Sequence, residues 1–377
     1  MKPVYLDYNA TTPIDEEVAN AMMPYIREHY GNPSSSYLIG RQSKEAVEEA
    51  REKVAALINC APEEIVFTSG GTESNNLAIK GVAFANKDKG KHIITSAVDH
   101  PAVINVCAFL NNHGFDITYV PVDKDGRVEP ASVEKAIRPD TILISIMHAN
   151  NEVGTIQPIE QIALLAQKHG ILFHTDASQS VGKIKADVKE LGVDLLTIAG
   201  HKLYAPKGIG ALYIRQGTRI ENLMQGAGQE RGIRPGTENI IEIVALGKAC
   251  ELAKRDFDKN QLQMRTMRDL LLSGFQQKLG GKVKVNGNMA ICLPNTLSVA
   301  FDKVNAHELA SQISEDVLIS TGSACHSGCT EISSVLKAMH INRETATETV
   351  RISTGKHTSK EEILLAIDII TKAIDKL

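Results

Sequence analysis

Short apolar runs alternate with longer amphipathic stretches through the first two-thirds of the chain. Residues 64–70, 91–97, 115–122, 141–149, 170–177 and 193–200 are rich in Ile, Val, Leu, Phe and Thr, and read as buried strands. Between them, segments such as 74–89 and 159–170 repeat their apolar positions with helical spacing. Strand, helix, strand at this spacing predicts a largely parallel sheet covered by helices on both faces. Residues 207–215 add one more strand. After about residue 255 the texture changes. A long polar helix over 255–279, strands at 295–302, 317–325 and 349–355, and a closing helix from Ser359 predict a smaller α+β domain.

With 377 residues the chain is long enough for one large core and a satellite. A net charge of −4 offers no basic surface for nucleic acid, and 4% aromatic residues with no Trp offer no base-stacking platform. No apolar run reaches the roughly 20 residues of a membrane span. The opening "MKPVYLDYNATTP" lacks the layout of a signal peptide, so a cytoplasmic protein is expected. In that compartment the six cysteines are expected to stay free of disulfides.

Candidate chemistry gathers where the strands end, the edge at which such sheets bind ligands. "TSGGTESNN" (68–76) leaves a strand and opens a helix. Gly71 lets a ligand approach the backbone, and Thr72 adds a hydroxyl beside the first-turn amides, which suits a phosphate as well as it suits a capped turn. Asp176 closes "ILFHTD", where it either caps a turn or holds a pyridinium nitrogen protonated. Lys202 follows 26 positions later in "GHKLYAPKG". It is either a solvated loop lysine or an amine able to hold an aldehyde as a Schiff base beside His201. His100, Asn151 and Gln179 stand at similar positions, as turn residues or as partners of an aromatic ring and its hydroxyl. Phosphate, pyridinium, Schiff base and ring partner together describe pyridoxal phosphate.

The blocks "YLDYNATTP", "GNPSSSY", "FTSGGTESNN", "HANNEVG", "HTDASQS", "QERGIRPGTEN" and "TGSACHSG" resemble the successive signatures of the NifS/IscS-type cysteine desulfurases, from about residue 4 to about residue 356. The resemblance implies a pyridoxal 5'-phosphate enzyme of fold type I, with a mostly parallel seven-stranded sheet in a large domain over 14–255. An N-terminal arm (1–13) and a small domain (256–377) would flank it. It implies a homodimer that takes sulfur from L-cysteine, leaves alanine, and passes the sulfur to an acceptor such as an iron–sulfur scaffold or thiolation protein. By the same resemblance, Lys202 carries the cofactor, Asp176 pairs with its pyridinium and His100 stacks on its ring. Gln179 lies near the phenolic oxygen, Gly71, Thr72 and His201 bind the phosphate, and Thr237 is lent by the second subunit. Asn151 lies near cofactor and substrate, and Arg351 grips the substrate carboxylate with its guanidinium fork.

Cys325, in a loop rich in small and polar residues, suits a thiolate that attacks the substrate sulfur and carries it away as a persulfide. Cys329 is a spare thiol or a second sulfur carrier. Ala199 stands where the family often has a phosphate-binding serine, and Lys356–His357 replaces an arginine-led ending. A selenocysteine lyase would share nearly all these residues. An aminotransferase of the same fold needs no loop thiol, and a non-catalytic scaffold would not need Lys202, Asp176, His100 and Cys325 together.

Overall fold

The computed structural model describes residues 2–321 and 332–377, together with the backbone of 325–326 and 329–330. After β1 (Val4–Tyr5), seven strands form the large sheet: β2 (Ile65–Thr68), β3 (His92–Ser96), β4 (Asp116–Val120), β5 (Thr141–Ser145), β6 (Leu172–Asp176), β7 (Leu195–Ala199) and β8 (Gly210–Ile214). Their spatial order is β2-β8-β7-β6-β5-β3-β4. Only β8 runs against the rest, pairing antiparallel with both β2 and β7. The carboxyl ends of β2, β3, β5, β6 and β7 therefore share one edge, with the chain's polar strand-end residues upon it.

Both faces of this sheet are covered. Ile65, Phe67, Ile144, Phe173 and Leu196 pack on one side against Val47 and Val54 of the helix Leu38–Ile58. Val66, Ile93, Leu143 and Leu195 pack on the other against Leu77 and Val103 from the helices Gly71–Asn86 and Pro101–Asn111. The residue alternation in each strand sends successive side chains to opposite faces, so strands buried on both faces read as unbroken apolar runs. The run at 115–122 departs from the buried-strand expectation. As β4 it is the sheet's edge, and Asp116 and Tyr119 are exposed.

The smaller sheet has the order β12-β15-β10-β9, from β9 (Val283–Val285), β10 (Thr296–Phe301), β12 (Ser320–Thr321) and β15 (Thr349–Ser353). The strand expected at 317–325 is divided. β11 (Val317–Leu318) pairs in parallel with β1, whereas β12 pairs with β15. Backbone pairing also joins β13 (Cys325–His326) to β14 (Cys329–Thr330). The N-terminal arm does not stand apart. Val4 and Leu6 are buried in the small sheet's core with Phe275, Phe301 and Ile352, and Asp7 bridges to Ser353. The arm thus crosses from the small sheet to the carboxyl edge of the large one. No helix among the described residues is long and apolar enough to cross a membrane.

Candidate active site

A cavity of about 330 Å³ opens at that edge, lined by Gly71, Thr72, His100, Asn151, Asp176, Gln179, His201, Lys202 and Arg351 among others. Thr237 is not among them. It lies in a separate depression with Ser69, Glu230 and Arg234. The Cys325 side chain lies outside the described residues, as does that of Cys329.

Lys202 arrives on the 3₁₀ turn Gly200–Lys202, directly after β7. Its Nζ donates to the carbonyls of Asn9 and Ala10, the latter at 2.7 Å. Burial, reinforced by the Arg351 charge and partly offset by Asp7 and Asp176, pushes its pKa down to about 8. About a tenth of the amine is therefore free at pH 7, far more than for an ordinary lysine, and attack on an aldehyde requires that form. Asp176 ends β6, on the strand next to β7, at 6% exposure. Asn75 Nδ2 donates to one of its oxygens at 2.7 Å, and the Ser178 amide donates to the other at 2.9 Å. Such a buried, donor-held carboxylate is built to face a cation. Beneath it His174 exchanges hydrogen bonds with Ser145 and Thr197, and burial pushes its pKa down to about 4.

Gly71 begins its helix immediately after Gly70, whose φ of +143° turns the chain sharply out of β2. The helix starts three residues before the expected 74 because Gly70 makes the turn that a side chain would resist. A Cβ on Gly71 would meet Ser178 Oγ at 3.1 Å and the Ala199 methyl at 3.3 Å. The first-turn amides have no intrahelical acceptor, and they lie at the cavity wall with Thr72, Ser178 and His201, a set of groups that could cradle an anion. His201 Nδ1 bonds Thr11 Oγ1 at 3.2 Å. Loss of hydration and the neighbouring Lys202, Lys207 and Lys183 push its pKa down to about 4, so it meets an anion as a neutral donor or acceptor.

His100 caps the helix Pro101–Asn111, its Nδ1 accepting from the Ala102 amide at 3.1 Å. That bond leaves the proton of the neutral ring on Nε2. Partial loss of hydration, reinforced by Lys202 and opposed by Asp176, lowers its pKa. Arg351 comes from the middle of β15 in the other sheet. Nη2 pairs with Asp7 at 2.7 Å, Nη1 donates to the Asn151 carbonyl at 3.0 Å, and the buried Nε has no partner among the described residues. Gln179 donates to the Asn9 carbonyl at 3.0 Å.

Asn9, Asn75 and Ser178 complete the site without having been singled out in the sequence. Asn9 is the hub. Its amide group donates to Thr296 Oγ1 at 2.8 Å and the Asn151 carbonyl at 3.1 Å, and its Oδ1 accepts from Asn295 at 2.9 Å. The only hint was its place in the block "YLDYNATTP". Together the groups can hold a phosphate, a cationic ring nitrogen, an aldehyde carbon and a carboxylate within one cavity.

The class-V aminotransferase model matches residues 4–365. A cysteine desulfurase IscS from Dictyoglomus turgidum is 49% identical over all of this chain and 95% of its own length. Another from Methanosarcina thermophila is 47% identical over all of this chain and 93% of its own. Among solved structures, a NifS-like protein superposes with a TM-score of 0.94 at 39% identity, covering 100% of both chains. The structure of SspA in complex with cysteine gives a TM-score of 0.83 at 39% identity, covering 94% of this chain and 99% of that one. A strand-end lysine, a buried aspartate on the neighbouring strand and a glycine-led helix thus sit in a chain that, by these likenesses, belongs to the class-V aminotransferase family and within it to the cysteine desulfurases.

Proposed function

We propose that the chain removes sulfur from L-cysteine with pyridoxal 5'-phosphate, leaving L-alanine and a persulfide on Cys325. The observation that carries this reading is the convergence of Lys202, Asp176, the Gly71 helix start and Arg351, from four separate segments, on one cavity. The residues fit the cofactor. The cradle that a Cβ on Gly71 would crowd suits its phosphate, and the buried Asp176 suits its ring nitrogen. Asn75 Oδ1 and Arg351 Nε, buried and without partners among the described residues, leave polar valences for a guest. A cavity of this size is typical for a small-molecule site.

When bound, the cofactor acts as the electron sink for bond breaking at the substrate's carbons. Lys202 supplies the attaching amine and, once released, a base at Nζ. Asp176 keeps the ring nitrogen protonated, and neutral His100 covers the ring with its Nε2–H ready to move a proton. Arg351 holds the substrate carboxylate, already oriented by Asp7 and the Asn151 carbonyl. The Cys325 thiolate attacks the substrate sulfur, so an S–S bond forms as the C–S bond breaks. The bonding pair stays with the carbon skeleton, which takes up protons to become alanine, and Cys325 retains the transferred sulfur. That sulfur then passes to an acceptor protein. We also take the working unit to be a homodimer. Thr237 lies outside the cavity of its own chain, as a residue lent across an interface would.

The test is turnover of L-cysteine and of L-selenocysteine by one cofactor-loaded preparation, with alanine and sulfide measured separately. Wild type is expected to form alanine from cysteine, Lys202→Ala to lose the visible cofactor band and all turnover, and Cys325→Ala to lose sulfur transfer. Turnover of selenocysteine alone would overturn the desulfurase reading.

A further inference from the structure

Lys183 is a buried amine with no role in the reaction above. It lies in the turn after β6 at 5% exposure, and among the described residues no carboxylate pairs with it. A buried lysine without a counter-charge is costly, and a methionine would fill the same space more cheaply. Its one side-chain partner among the described residues is informative. Nζ donates to Gln179 Oε1 at 3.0 Å, and Gln179 Nε2 in turn donates to the Asn9 carbonyl at 3.0 Å. That same carbonyl accepts from Lys202. Lys183 and Lys202 also line a second cavity of about 20 Å³, room for a single water, together with Asp15, Tyr204 and Lys356.

A glutamine amide has an oxygen end and an NH₂ end of nearly equal shape, so its surroundings must choose between two orientations. At Gln179 both neighbours choose alike. Reversing the amide would set NH₂ against the Lys183 donor and oxygen against the Asn9 carbonyl. We propose that Lys183 is a positioning residue that locks the Gln179 amide so that its second N–H faces the main cavity as a donor to the cofactor's phenolic oxygen. This rests on the pyridoxal reading above. The charges facing Lys183 are those of Lys202 and Arg351, with His201 nearby and Asp15 already paired to Lys356. With burial they bring its pKa down to about 7. Whether amine or ammonium, Lys183 still has an N–H for Oε1, so the lock holds through the neutral range.

The experiment is a double-mutant cycle on the chain reconstituted with pyridoxal 5'-phosphate, using Lys183→Met, Gln179→Ala and both together. The readouts are the pH midpoint of the cofactor's visible band and the cofactor dissociation constant. The thermal midpoint of the apo chain is followed alongside. Losing a donor to the phenolic oxygen destabilises its anionic form, so Lys183→Met is expected to raise the band's midpoint and weaken cofactor binding about fivefold. The apo chain should be as stable as wild type or more so. In the Gln179→Ala background Lys183→Met should add no further change, and Lys183→Gln, which keeps an N–H donor, should restore most of the shift. A Lys183→Met effect that persists in full without Gln179, or no effect at all, overturns the proposal. If Gln179→Ala itself leaves both cofactor readouts unchanged, the placement of the cofactor fails instead.

Discussion

Replacing Asn9 by alanine should loosen the N-terminal arm from both sheets at once. The side chain is 1% exposed and makes three hydrogen bonds, to Thr296 Oγ1, the Asn151 carbonyl and Asn295 Nδ2. Each partner keeps a second contact. Thr296 still bonds Asn295 Oδ1, Asn295 still bonds the Thr354 carbonyl, and the Asn151 carbonyl still accepts from Arg351. The loss should therefore fall at the net value of a buried hydrogen bond, about 1 kcal/mol each, rather than at the full penalty for stranded groups. Asn9→Ala is expected to cost about 3 kcal/mol in total. Urea unfolding followed by far-UV circular dichroism measures it, with hydrogen exchange read over residues 2–13. If the two sheets unfold in separate steps, the loss should appear in the step that releases the small sheet, where Asn295 and Thr296 reside. A loss below about 1 kcal/mol with unchanged protection of the arm would refute the hub assignment.

Other outcomes follow from the same geometry. Glu230→Ala strips the carboxylate that receives two bonds at 2.8 Å from the buried Arg51 and one from the Phe67 amide. Because Arg51 keeps Glu48, the cost should be about 3 kcal/mol, the low end for a broken buried pair, as measured by denaturant unfolding. Arg351→Met removes a charge that holds the Lys202 pKa down and frees Asp7, which raises it, so both changes act in one direction. The pH midpoint for acylation of Lys202 in the apo chain should move above that of the wild type measured alongside. His148 and His174 are buried and neutral, with burial pushing both to about 4. Between pH 6.5 and 4 the unfolded chain binds protons that the folded chain refuses, so stability should fall as pH drops through that window and change no further on their account below it. A stability profile that is flat from pH 6.5 to 4 would contradict this.

Residues placed by their own strand end were legible along the chain. Lys202, Asp176 and Gly71 each follow an apolar run directly, and a parallel sheet brings such ends to one edge wherever the strands fall in order. The family blocks added Arg351, which no local pattern distinguishes from any other arginine in a strand. What chain order could not supply was the identity of neighbours from remote segments. Asn75 lies mid-helix and becomes the aspartate's donor only because that helix packs against β6, 101 positions away. Asn9 resembles any turn asparagine until the arm threads between the sheets. Nothing in the chain order singles out Lys183, and it is buried where Gly182, at φ +77°, brings the turn so close to Leu203 that a Cβ there would lie 2.2 Å from its side chain. The apolar run of β4 looked like its buried siblings, yet no strand among the described residues pairs with its outer side. Hydrophobic periodicity records whether a residue is apolar and how often, which is a local property of the chain. Which polar groups meet, and which strand is last in a sheet, depends on the packing of segments a hundred or more residues apart.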